Sequence, residues 1–478
     1  MTQCTNNRIE LKGLGRRFMV AGFDGGTITS DGGATLLGKV DEALGLTERA
    51  AGCFGDHRRV DRIEHTVGEL LRQRLFALAL GYEDLNDHDE LSRDPLLAAV
   101  VGKVEPAGAG RRRPADRGRA LAGKSTLNRL ELTAEGATSA DRYKKIALDF
   151  EAMRLLFVDL FVDAHDAPPE QIVIDLDATD DPLHGKQEGR FFHGYYKGYC
   201  YLPLYAFVGD HLLAAELDVA STDAAAGAVA LLERVVPRIR RRWRGQTRIL
   251  VRGDSGFCRE PIMAWCEAND VDYVLGLAKN ARLKAQIEAE QAEALAAFEA
   301  TDAPARRFKD FTYQTLDSWS RARRVIAKAE QLAKGANPRF VVTSLSADAY
   351  EARALYEDVY CARGEMENRI KEQQLYLFAD RTSTRAMRSN QIRLWFSSLA
   401  YTLLAGLRRL GLAGTKMARA RCDTIRLSLL KIGAAVCVSV RRVKVSMSSV
   451  FPRQGLFRRV LARLDVAIAV RRFVPQRC

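Results

Sequence analysis

Four acidic residues stand where a folded chain could bring them to one point. Asp175 and Asp177 lie two apart in the apolar stretch QIVIDLDAT (171–179), so on a strand both side chains leave the same face. Asp254 follows a second apolar stretch, in VRGDSGF (251–257). Glu367 sits in YCARGEMENRIKEQQ (360–374), where Tyr360, Arg363, Glu367, Lys371 and Gln374 recur on one helical face. Each acid alone reads as a strand-end turn, a helix cap or half of a surface pair. Two of them held close together repel and desolvate each other, and become stable when a divalent cation lies between them. Hard cations such as Mg²⁺ or Mn²⁺ take oxygen ligands, which suits acids better than His or Cys. The chemistry in prospect is that of a carboxylate site holding a divalent cation.

The surrounding pattern predicts elements able to gather these acids. QIVIDLDAT, YLPLYAFVG (201–209) and HLLAAELDV (211–219) read as three strands, the last two joined at Gly209-Asp210. A helix is expected from Ala224 to about Trp243 with Asp223 as its cap, then a strand RILVRGDSG (248–256), a helix Glu260 to Asn269 and a strand DYVLGLAK (272–279). The order β-β-β-α-β-α-β is that of an α/β, RNase H-like mixed sheet, in which the first and fourth strands are neighbours. Asp177 and Asp254 would then converge.

Alternating residues at 306–345 predict a β-rich insertion, followed by long helices at about 351–375 and 388–411. Residues 17–31 read as a short hairpin, with a mainly helical region at 34–162 that includes a stripe from Ile146 to Leu160. The expected division is a helical N-terminal region (1–165), a catalytic domain (166–412, interrupted at 306–345) and a basic C-terminal region (413–478).

The chain has 478 residues, 47% hydrophobic and 28% charged, as in a globular protein. Its net charge of +13 is uneven: 21 Lys and Arg face two acids from Arg381 to Cys478, so that segment carries +19 and the first 380 residues sum to −6. Such a basic block is the footprint of a polyanionic partner. Arg111, Arg112 and Arg113, in the Gly/Pro/Arg-rich loop 106–123, are further candidates for DNA backbone contact. The nine cysteines are scattered without a Cys-x-x-Cys pair, against a disulfide framework or a structural zinc. The start is polar and unlike a secretory signal, and the apolar run Leu394–Leu407 is too short to span a bilayer, so it reads as a buried helix. Gly118–Ser125 matches a P-loop pattern, but the stretch before it cannot be a core strand, and no nucleotide cofactor is expected.

The spacing Tyr360-x2-Arg363-x3-Glu367 resembles the signature helix of DDE transposases of bacterial insertion sequences, group 1. DLDATDDPLHGKQEG (175–189) resembles the segment around their first Asp and RGDSGF that around their second. SDGGATLL (30–37), GYEDLNDHDELSRDP (81–95), KSTLNRLE (124–131) and SNQIRLWFSSLAYTLL (389–404) are similar to one branch of that family. The resemblance covers roughly residues 17–412. It implies that Asp177, Asp254 and Glu367 hold two Mg²⁺ or Mn²⁺ ions, with Asp175 the alternative first ligand. It implies that Tyr360, Arg363 and Lys371 contact the DNA end, Gln374 standing where many members have a lysine. Cleavage at the terminal inverted repeats, strand transfer of the 3′-hydroxyl into target DNA, a homodimer on DNA and action at the bacterial nucleoid follow as expectations, and some members cut the second strand through a hairpin. His184 and His193 read as loop or strand histidines that could also approach DNA. A nuclease of the same fold without strand transfer, and a non-catalytic DNA-binding derivative, are the rival readings.

Overall fold

A computed structural model describes residues 8–13 and 15–473. The first seven residues and the last five, with Cys4, Arg477 and Cys478, lie outside the described residues. The chain forms two compact units, Leu148–Thr402 and Met1–Ala147 with Leu403–Cys478.

The first of these is built on a mixed sheet of nine strands. Its five core strands are Gln171–Ala178, Leu204–Val208, His211–Glu216, Arg248–Gly253 and Asp272–Leu277. They lie in the order third, second, first, fourth, fifth. The first pairs antiparallel with the second and parallel with the fourth, and the fourth runs parallel to the fifth. The expected β-β-β-α-β-α-β order is therefore present, with helices Ala228–Trp243 and Glu260–Ala268 in the expected places.

Alternation along each strand explains the layering. Ile172, Ile174 and Leu176 point to one face, where with Ile249 and Val251 they pack against Leu231, Val235 and Ile239 of the first helix and Val158 and Phe161 of Phe150–Val162. Each such fully buried aliphatic side chain contributes about 1.5–3 kcal/mol. Leu250, Val274, Ile326 and Val341 point to the other face, under Leu355 and Tyr356. Asp175, Asp177 and Arg252 belong to that second face by the same period of two.

Five local expectations are refined or changed. First, the segment expected to be β-rich at 306–345 is so, and its strands Ala305–Tyr313, Arg323–Leu332 and Arg339–Thr343 join the main sheet beyond the fifth strand. The buried Arg323 side chain holds that extension to Glu260 (2.6 Å) and Glu267 (2.7 Å). Second, the helix 351–375 is not uniform: a π-helical turn (Leu355–Tyr360) and a tighter turn (Cys361–Arg363) precede the α-helix Gly364–Leu377. Third, helix Ala228–Trp243 starts after Gly227, and Asp223 instead accepts from the Ala225 amide in the preceding turn. Fourth, Ile146–Leu148 is a short strand, and the helix after it begins at Phe150 with Asp149 as cap. Fifth, the hairpin expected at 17–31 does not close on itself. Val20–Gly22 pairs with Arg8–Glu10, and Ile28–Thr29 with Ala434–Ser439.

The other unit is mainly helical. Ala34–Leu44, Val67–Leu80 and Gln454–Phe473 are its longest helices wholly inside it, the second opened by a Thr66/Glu69 capping box. The run Leu394–Leu407 lies within the helix Met387–Gly406 and its continuation, with Leu394, Leu399, Leu403 and Leu404 fully buried. Among the described residues no helix is long and apolar enough to cross a membrane.

Candidate active site

The parallel ladder between the first and fourth strands brings two acids side by side. Arg252 is in register with Asp175, and Gly253 with Leu176. One more step of that register sets Asp254 beside Asp177. The RGDSGF turn holds Asp254 in place: its carboxylate accepts from the Gly256 amide at 2.8 Å. A Cβ at Gly256 would stand 2.9 Å from that carboxylate, and one at Gly253 would stand 2.9 Å from the Phe257 side chain. Both glycines therefore serve close approach rather than flexibility.

Asp175 and Asp177 share a face but not a fate. Asp175 forms two hydrogen bonds with the Arg252 guanidinium, at 2.5 and 2.8 Å, and both side chains are buried. Arg252 also donates to the Val359 carbonyl. A π-helical turn shifts the backbone pairing of its carbonyls, so the Asp175–Arg252 pair braces the turn that ends at Tyr360. Among the described residues Asp177 meets Arg363, at 3.4 Å, and accepts from the Ala178 amide at 3.0 Å. Burial pushes the Asp177 carboxyl up to about 6; Arg363 opposes this, and the neighbouring Asp254 and Glu367 add to it. Burial likewise raises Asp175, against the opposing Arg252.

Glu367 reaches this group through Arg363, whose other nitrogen binds it at 3.1 Å. One guanidinium thus bridges the first and third acids. Tyr360 completes the cluster: burial raises its phenol, with Arg363 and Asp254 as the nearest charged influences. Its hydroxyl lies where a Cβ on Gly276 of the fifth strand would come within 2.6 Å, and the Ser255 amide within 2.8 Å. Gly276 therefore makes room for both the phenol and the second acid.

The donor set fits a hard divalent cation in kind: three carboxylates, one of them raised by burial first and then by the other two acids. As the side chains stand, no three His, Cys, Asp or Glu groups among the described residues converge tightly enough to hold a metal. The Arg363 guanidinium lies between two of the three. A cavity of about 220 Å³ nearby is lined by Asp175, Arg252 and Glu365 but by none of Asp177, Asp254 or Glu367.

Lys371 is exposed, and Gln374 donates to the Asp180 carbonyl at 2.9 Å, which ties the helix to the end of the first strand. His184 is exposed, and His193 stacks on Tyr196 with centroids 5.0 Å apart. Arg111, Arg112 and Arg113 belong to the other unit. Arg111 is occupied by Glu64 at 3.1 Å and His65 at 2.5 Å, Arg112 donates to the Asp61 carbonyl, and Arg113 is exposed. Lys124, the lysine of the P-loop pattern, has its amide and ammonium bound by Asp89 at 3.1 and 3.2 Å. A carboxylate fills the place a phosphate would take at that helix start.

Arg252 and Gly276 were not singled out from the sequence. Arg252 had a signal: a lone cation inside an apolar strand, two residues before Asp254 as Asp175 is two before Asp177. On neighbouring parallel strands that equal spacing makes a buried pair. Gly276 had none, since its role depends on a helix 84 residues away in the chain.

A family model described as transposase DDE domain group 1 matches residues 11–468. No curated protein matches. Among solved structures, a piggyBac transposase synaptic complex with hairpin DNA is similar at 12% identity and a TM-score of 0.36, over 94% of this chain and 83% of that chain.

Proposed function

The chain belongs to the transposase DDE domain group 1 family, and from that premise we propose that it cuts the ends of an insertion sequence and joins the freed 3′-hydroxyl to target DNA. The family makes it a transposase, whose members generally work with divalent metal ions. In this reading the large sheet is an RNase H-like platform, and Asp177, Asp254 and Glu367 hold two Mg²⁺ or Mn²⁺ ions. When bound, such ions supply a nucleophile and charge neutralisation for in-line displacement at a phosphodiester.

The observation that carries the reading is the linkage of Asp177, Asp254, Glu367 and Tyr360 around Arg363 on one sheet face. Asp177 is the choice over Asp175, because Asp175 is closed by Arg252 at 2.5 Å while Asp177 has only a 3.4 Å contact to an arginine it shares with Glu367. Arg363 would leave the two acids for a DNA phosphate as the ions enter, exchanging one pairing of opposite charges for another. Lys371, free on the same helix, would add a phosphate contact, and the Tyr360 hydroxyl would orient the strand beside Asp254. Two copies pairing two element ends at the nucleoid belong to the same reading.

The test is incubation of the purified protein with the DNA flanking its own gene, a supercoiled target and Mg²⁺. Ends cleaved at defined positions and joined to the target are expected, with no reaction from Asp254→Asn or Glu367→Gln. Cleavage without joined products would make the protein a plain nuclease. Full activity in either variant would overturn the assignment of the acids.

A further inference from the structure

The segment linking the first and second core strands carries a feature that the carboxylate site does not use. Residues 181–201 fold into a small sheet in which Phe191–His193 pairs with Gly198–Tyr201, and that strand pairs with Asp181–Pro182. Its root is buried: Cys200, Tyr201 and Leu202 are at most 5% exposed. Its outer part is not. Phe192 is 51%, Tyr199 43% and Tyr195, at the tip, 82% exposed. Evolution of a surface for solubility alone does not favour clustered bare rings, and a contiguous aromatic patch of this kind marks a binding face.

The rings are arranged, not scattered. Phe192 and Tyr199 are directly opposite each other across the two strands, edge to face at 5.5 Å. Arg190, two residues before Phe192 and so on its face, lays its guanidinium over the Tyr199 ring at 4.2 Å. Lys186 and Lys197 are exposed on either side. Glu188, the one acid between His184 and Tyr199, is exposed and accepts from the Met387 amide at 3.1 Å, which anchors the loop. The patch therefore combines aromatic rings with an excess of positive charge, Lys186, Arg190 and Lys197 against Glu188. Rings interleaved with cations match a strand whose bases stack and whose phosphates are anionic.

Position adds to the case. The hairpin feeds the strand in which Tyr205 pairs with Asp177. Tyr196, in the turn beside Tyr195, packs with Ala178 against Cys200 and Leu202, and its phenol is pushed up to about 12, by burial first and then by Asp180, Tyr195 and Asp177. The hairpin thus stands at the rim of the carboxylate site.

We propose that the Arg190–Phe192–Tyr199 face of this hairpin is a stacking platform for unpaired bases of the DNA strand held beside Asp177. A closed duplex offers only the outer face of its terminal pair, whereas unpaired bases offer both faces and reach, so the platform selects or stabilises DNA opened next to the cut. This rests on the reading of the chain as acting on DNA, and its test is kept free of catalysis.

The experiment measures affinity of the full chain, in chelator, for a blunt duplex, the same duplex with several unpaired bases at its end, and oligo(dT). Wild type is expected to prefer the two substrates with free bases. Phe192→Ala and Tyr199→Ala should each weaken those two on the order of tenfold, with blunt duplex binding changed less than twofold. Phe192→Leu, which keeps the bulk without the ring, should fail like alanine. Phe192→Trp should bind normally and show fluorescence quenching by oligo(dT). No preference for unpaired bases in wild type, equal losses on all three DNAs, or full rescue by leucine would each overturn the proposal. So would a loss of self-association in the alanine variants with DNA binding intact, which would make the patch an interface between copies. Because no cleavage is read, a protein that stacks bases but never cuts would leave this inference standing and sink only the transposition reading.

Discussion

Asp175 and Asp177 leave the same strand on the same face, two residues apart, and their side chains are 7% and 15% exposed. Asp175 has two short hydrogen bonds to a buried arginine, which in turn holds a backbone carbonyl. Asp177 has one long contact to an arginine shared with Glu367, and two acids for neighbours. The first pair is complete: nothing is left for a ligand to satisfy. The second is incomplete, and a cation would stabilise it. The lesson is that burial and acid type do not separate a brace from a candidate metal ligand; the closeness of the compensating cation, and whether another acid shares it, does.

The comparison is most sharply broken or kept by neutralising each acid. Asp177→Asn should lower metal-dependent cleavage by roughly 10³-fold, as for removal of a group that stabilises transition-state charge. Its melting temperature in chelator should stay level or rise, because a poorly compensated carboxylate is gone. Asp175→Asn should act through stability instead. It leaves Arg252 buried with a neutral partner, a loss of about 3–5 kcal/mol, read as a lower unfolding midpoint. Equal midpoints for the two variants would erase the distinction.

Gly276→Ala should be next in size. The new methyl would crowd the Tyr360 hydroxyl and the Ser255 amide, and a displacement of the second acid by about 1 Å costs on the order of 10²-fold in rate. DNA affinity should change little, and adding Tyr360→Phe should restore part of the rate by removing one of the two clashes. A rate unchanged by Gly276→Ala would mean that Tyr360 and Asp254 are not held as described.

The smallest effect is a pH slope. Asp177 in the chelated protein titrates near 6, above its unfolded value near 3.8. Between those two values the folded state binds the extra proton, so stability falls as pH rises from about 4 to 6 and levels off above. Chemical denaturation across that window should show wild type losing stability relative to Asp177→Asn. Parallel curves would place the raised group elsewhere.

Much of this was legible in sequence because it depends on local periods. The five core strands alternate apolar residues at period two, and Asp254 closes one of them visibly. The signature helix shows Tyr360, Arg363 and Glu367 on one face. What was hidden depends on pairing across distance. The widened turn at Leu355–Tyr360 has no composition mark, and it is stabilised by Arg252 from a strand 107 residues earlier than Val359. The strands at 305–343 read as an insertion because alternation reports a strand but not its neighbour. Val20–Gly22 and Ile28–Thr29 looked like one hairpin because the turn residues between them, Asp24-Gly25-Gly26, favour a bend without deciding what the bend joins.

The central claim, that Asp177 rather than Asp175 joins Asp254 and Glu367 as a metal ligand, is tested most directly by Mn²⁺ binding followed by electron paramagnetic resonance on the full chain. Asp177→Asn, Asp254→Asn and Glu367→Gln are each expected to weaken binding by at least about tenfold while the folded fraction, read by circular dichroism, stays at the wild-type level. Wild-type Mn²⁺ affinity in folded Asp177→Asn would contradict the account.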